Sequence, residues 1–149
     1  MVGCCGDHPG ARAGLSCVAY RSRRLLPEEP AARLRALSVI GFALAATEKA
    51  MQTVYERTLR PQQWQYEPWV ERVQKQMHAA YAQLEPLIAE RDGWLCGERL
   101  MQPDITVAVA WRFTQFMLPG AVDTARYPAL AAFSGRAEAL PEFIGAPLE

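Results

Sequence analysis

Two histidines, four cysteines and 16 carboxylates are the side chains of this 149-residue chain best able to do chemistry. Their spacing builds little. His8 and His78 stand far apart, with no nearby Ser or Cys that would form a triad. Cys4, Cys5 and His8 make half a metal-ligand pattern, but no second pair at suitable spacing follows, so no metal site is expected. With Cys17 in the same Gly-rich head and Cys96 in a loop, the cysteines make a poor disulfide framework. Glu28-Glu29 reads as a helix start, and the remaining carboxylates are spread along faces expected to meet water. Trp64, Tyr66 and Trp69 cluster without a basic stripe, which fits a helix corner better than a base-stacking platform. Neither a Gly-rich phosphate loop nor a nucleophile elbow is present.

The elements that must position these residues are helical. Residues 1–24 lack apolar periodicity and are expected to form a disordered head. After Pro27 and Pro30, the residues Leu37, Ile40, Leu44, Thr47, Met51, Val54 and Thr58 recur at spacings of three and four until Pro61. They predict one buried helical face, and Gly41 suggests a close approach of a second helix. From Pro68, the stripe Trp69, Val73, Met77, Ala80, Leu84 and Leu87 predicts a second helix, disturbed near its end by Pro86 and closed by Asp92-Gly93. The short link between the two makes them antiparallel neighbours.

The third segment is ambiguous by pattern alone. Ile105, Val107, Val109, Trp111 and Phe113 alternate as a strand would, with Thr106, Ala108, Ala110 and Arg112 between them. Its length, from Asp104 to Leu118, and its alanines favour a buried central helix, with Asp104 facing the free N–H groups of the first turn. A last helix starts at Tyr127-Pro128 and uses Leu130, Phe133, Ala137 and Leu140. Pro141 stops it, and Phe143 with Ile144 are expected to fold back on the core. The expectation is an all-α bundle of four main helices with short terminal elements, in one domain over residues 25–149.

Sixteen basic and 16 acidic residues cancel, which points to neither nucleic acid nor an acidic membrane surface as a partner. Ala36 to Ala46, the longest mostly apolar run, is broken by Ser38 and Gly41 and falls short of the ~20 residues a spanning helix needs. No secretory signal is legible in the head, so a cytoplasmic location is expected.

In this order the segments resemble the C-terminal domain of glutathione transferases, particularly bacterial ones. The resemblance runs from Leu25 to Leu148 and rests on motifs that are individually weak. They are Leu25-Leu26-Pro27 with Ala31-Ala32-Arg33, Tyr55-Glu56-Arg57 through Arg60-Pro61, and Leu84-Glu85 with Trp94-Leu95-Cys96-Gly97-Glu98. Pro103-Asp104-Ile105-Thr106-Val107-Ala108, the most specific, looks like the family's capped core helix; Tyr127-Pro128-Ala129-Leu130 and Leu140-Pro141-Glu142-Phe143 follow. Met101 stands where the family usually carries a capping Ser or Thr, which predicts a weaker helix start.

The resemblance implies a role. Glutathione is the family's cosubstrate and is held mainly by a thioredoxin-like N-terminal domain, which also activates the thiol. Only 24 residues precede Leu25, below the ~50 of a small domain. The chain alone is therefore expected to bind no cofactor, to carry no catalytic residue and to be inactive. What it would contribute is the wall for hydrophobic small molecules, with Thr47, Met51, Tyr55 and Trp111 as candidates by position. Its expected partners are a second copy or a thioredoxin-like domain, and in the latter case an active enzyme would be reassembled. The alternative is a protein–protein interaction module of the same fold.

Overall fold

The computed structural model describes residues 24–148. The expected disordered head, with Cys4, Cys5, His8 and Cys17, lies outside the described residues. Four long helices make the domain: α1 (Pro30–Thr58), α2 (Glu67–Ala89), α3 (Gln102–Met117) and α4 (Pro128–Glu138). A short α5 (Pro141–Ile144) and two 3₁₀ turns, Gln62–Trp64 and Thr124–Arg126, complete it. Among the described residues there is no strand, so the alternating run at Ile105 is helix, and the all-α architecture holds.

Helix α1 packs on both α2 and α3, and α4 packs on the same two helices. The reason lies in side-chain size. The buried line of α1 is Ala36, Val39, Ala43, Ala46 and Ala50, which lets two neighbouring backbones come close. Between α2 and α3 the fillers are large: Met77 and Tyr81 from one, Trp111 from the other, all buried. Tyr81 meets Trp111 edge-on, with ring centroids 5.2 Å apart, the arrangement that the aromatic quadrupole favours.

This corrects the expected face of α1. Leu37 and Leu44 are exposed, Ile40, Thr47 and Met51 half-buried and Thr58 exposed; of the predicted stripe only Val54 is in the core. The larger apolar residues run along a flank while the alanines take the contact line, because a helix that serves two neighbours has room only for methyl groups between them. Gly41 is on the open side, where an added Cβ would meet nothing within 4 Å, so no second helix approaches closely there. On α2 the predicted Val73, Met77, Ala80 and Leu84 are buried, but Trp69 and Leu87 are exposed, and Val70, Tyr81 and Ile88 take their places. Phe143 packs against the core as expected, whereas Ile144 stays exposed.

Asp104 meets backbone N–H groups as expected, whereas Glu56 and Glu85 depart from the solvent-face expectation. Glu56 and Asp104 are buried and Glu85 is half-buried, each bonded to backbone N–H groups. Glu56 accepts the Tyr66 N–H at 2.8 Å and Arg60 at 2.9 Å, fastening the α1–α2 corner.

Candidate functional site

Three of the four residues expected to form a substrate wall share one flank of α1. Leu37, Leu44 and Met51 are seven residues apart and lie on one line; Thr47 and Tyr55 stand beside it at helical spacings of three and four. Tyr55 is 51% exposed, so its ring and hydroxyl are available to a ligand. Met51 is half-buried, a flexible thioether suited to varied apolar shapes. Thr47 donates its hydroxyl to the Ala43 carbonyl at 3.0 Å.

The fourth residue is placed differently. Trp111 is 3% exposed, between Tyr81 and Tyr127 in the core. The exposed apolar side chains of α3 are Val109, Phe116 and Met117, of which Val109 and Phe116 share a line seven residues apart. Sequence reasoning passed over them because α3 reads as apolar all round.

The start of α3 is held by several bonds. Asp104, in the first turn of α3, accepts the Met101 N–H at 2.8 Å and the Leu95 N–H at 2.7 Å. One carboxylate thus anchors both the helix start and the loop before it. Burial pushes its carboxyl above the ordinary aspartate value, opposed by those backbone bonds. The loop is also gripped from α4: Arg136 donates to the Gly93 carbonyl at 2.6 Å and lies 4.5 Å over the Trp94 ring. Gly97, with φ of 125°, allows the tight turn in which its N–H bonds Trp94. The Leu25 carbonyl accepts from the Gln102 N–H at 2.8 Å, which sets the incoming chain against the base of α3.

The titratable groups of the interior are adjusted away from reactivity. Burial pushes the Tyr81 hydroxyl up to about 12. It sits 2.6 Å from the Thr114 hydroxyl and 3.1 Å from the Ala110 carbonyl. Burial likewise raises the Tyr127 hydroxyl and the Cys96 thiol. Among the described residues no group of three His, Cys, Asp or Glu side chains is placed to hold a metal ion, and no helix is long and apolar enough to cross a membrane.

Residues 67–136, from the start of α2 into α4, match the family model of the glutathione S-transferase C-terminal domain. A glutathione S-transferase from Methylobacterium radiotolerans, solved with glutathione sulfonate, superposes with a TM-score of 0.77 at 26% identity; the match covers 89% of this chain and 62% of that one. The chain is thus similar to the glutathione S-transferase C-terminal domain, in sequence from α2 into α4 and in fold over most of its described length. Two further structures share the fold. One, from Methylobacillus flagellatus with glutathione bound, gives a TM-score of 0.74 at 21% identity over 89% of this chain and 67% of that one. The other, from Pseudomonas fluorescens with bound glutathione, gives 0.71 at 21% over 95% and 69%. Among proteins of curated function, none matches the chain.

The most specific stretch of the resemblance, Pro103 to Ala108, is the capped start of α3 with buried Pro103 and Asp104. Sequence reasoning missed the tertiary caps made by Glu56 and Glu85. The available signals were the Glu residues of Tyr55-Glu56-Arg57 and Leu84-Glu85, and neither gives a hint of its distant partner.

Proposed function

We propose that this domain supplies the hydrophobic-substrate side of a glutathione-conjugating site and does not activate glutathione by itself. The observation that carries this reading is the apolar flank of α1, where Leu44, Met51 and Tyr55 stand outside the core although the same helix buries a row of alanines. Large apolar groups on an open flank are costly in water, by about 25 cal/mol per Å², and their natural cover is an apolar ligand or a second domain. Thr47, Met51 and Tyr55 are the wall; Trp111 supports it from the core side.

Glutathione itself would be held and deprotonated by a thioredoxin-like domain, in the same chain or a partner, or by a second copy's complement. Support for that division comes from the hydroxyl and thiol groups of this domain. Tyr81, Tyr127 and Cys96 are all shifted toward their neutral forms, whereas conjugation needs a thiolate and a group that stabilises it. The expected compartment is the cytoplasm.

The test is glutathione conjugation to an electrophilic aromatic substrate. Residues 24–149 alone should give no rate above the uncatalysed one, and adding a thioredoxin-like domain from a related transferase should restore turnover. Tyr55→Ala in the reconstituted enzyme should raise KM several-fold. Robust conjugation by the helical domain alone would overturn the division of labour. An unchanged KM in Tyr55→Ala would remove Tyr55 from the wall.

A further inference from the structure

A concave site lies at the opposite end of α1 from Tyr55. There the first turns of α1, the end of α2 and the loop at Leu95 to Gly97 enclose a cavity of about 430 Å³. Clefts that take small organic molecules run from roughly 300 to 1,000 Å³, mostly apolar with a few placed polar groups. This one has Val39, Leu87 and Leu95 among its apolar walls, and Arg35 and Arg91 at its edge.

The two arginines are uncommitted. Among the described residues neither forms an ion pair within 4 Å, although Arg24, Arg57 and Arg60 each have one. Glu29 is near enough to feel Arg35, but both its oxygens are occupied by the Ala31 and Ala32 N–H groups at the start of α1. Glu90 is the one acidic residue in the lining and leaves two positive charges against one negative.

We propose that this cavity binds a small amphipathic monoanion: a carboxylate or sulfonate on an aliphatic or aryl body. The apolar walls take the body, and Arg35 and Arg91 take the head group. Guanidinium forks match a carboxylate with two parallel hydrogen bonds and are more easily desolvated than an ammonium. Cys96, in the same lining, reports where the two charges converge. Burial and the charge of Asp104 raise its thiol, while Arg91 and Arg35 both pull it the other way.

That thiol also provides the readout. The full chain is treated with iodoacetamide, and alkylation of the Cys96 peptide is followed by mass spectrometry with octanoate, octan-1-ol or octylammonium present. Octanoate should slow Cys96 alkylation at least threefold, and the alcohol and the amine should not. In Arg35→Gln/Arg91→Gln the concentration of octanoate needed should rise about tenfold. Both arginines are exposed, so the variant should keep its helical spectrum; each single variant should show part of the effect. Failure of octanoate to protect would overturn the site. Equal protection by octan-1-ol, or undiminished protection in the double variant, would overturn the anion selectivity and leave apolar association only.

Discussion

The Glu85 carboxylate, on α2, accepts the backbone N–H groups of Ala129 at 2.7 Å and Leu130 at 3.0 Å, and so caps a helix 44 residues further along the chain. Helix α4 has no capping side chain of its own, since Tyr127 occupies the N-cap position and Pro128 follows. A charge-bearing acceptor from a neighbouring helix does the same work as a local Ser or Asp, because free N–H groups and the helix dipole respond to the acceptor's place and not to its origin.

Glu85→Ala should therefore destabilise the domain by about 0.5–2 kcal/mol, the range of a lost cap. Glu85→Gln, which keeps one acceptor oxygen, should lose less. Urea denaturation followed by circular dichroism measures both. Equal midpoints for Glu85→Ala and the parent would show that water replaces the carboxylate without loss.

Asp104 is the more demanding case because both of its donors belong to a half-buried loop. Asp104→Ala should cost about 1–3 kcal/mol, the penalty for stranding buried donors. It should also free the loop, so the Leu95 amide should exchange with deuterium much faster than in the parent. Unchanged exchange at Leu95 would mean that Arg136 and Trp94 hold the loop without help.

These relationships explain how far the sequence could be read. Helix positions were legible because apolar spacing and proline punctuation are local properties, and Pro30, Pro68, Pro103 and Pro128 each sit in a first turn. Asp104 was legible as a helix-start residue for the same reason. The buried side of α1 was not, since periodicity ranks Leu above Ala while the packing of α1 on two helices selects Ala36, Ala43, Ala46 and Ala50. Glu56 and Glu85 were read as surface groups because a carboxylate's partners on another helix leave no mark in the adjacent residues. The candidate wall residues had a visible spacing at Thr47, Met51 and Tyr55. What spacing could not reveal was that Trp111 fills the core.

Tyr81 tests the polar part of that core. Its hydroxyl, the Thr114 hydroxyl and the Ala110 carbonyl form a closed set in which Thr114 also donates to Ala110 at 3.0 Å. Tyr81→Phe removes one hydroxyl but leaves Thr114 its carbonyl acceptor, so the loss should be about 0.5–1.5 kcal/mol. Thr114→Val should cost more, because the Tyr81 hydroxyl then keeps only Ala110 and the helix loses a buried bond. Thermal denaturation of the two variants gives the order; the reverse order would place the stronger bond between Tyr81 and Ala110.

His78 supplies the pH dependence. Its Nδ1 lies 3.2 Å from the Tyr127 hydroxyl, which itself donates to the His78 carbonyl at 3.2 Å, leaving the hydroxyl oxygen to accept from Nδ1–H. Burial lowers the imidazole below its ordinary value, and Arg126 lowers it further, against the opposing pull of the Ala121 carbonyl. With the folded value depressed, the unfolded chain binds the proton more readily, so stability is lost as pH falls from about 6.5 through the folded value. The parent should melt progressively lower over that window, and His78→Gln should flatten the slope there. Arg126→Gln should move the His78 midpoint, read from its ring protons by NMR, up by part of the shift, since burial is the larger cause and remains. A midpoint at or above 6.5 in the parent would refute the depressed imidazole, and with it the predicted slope.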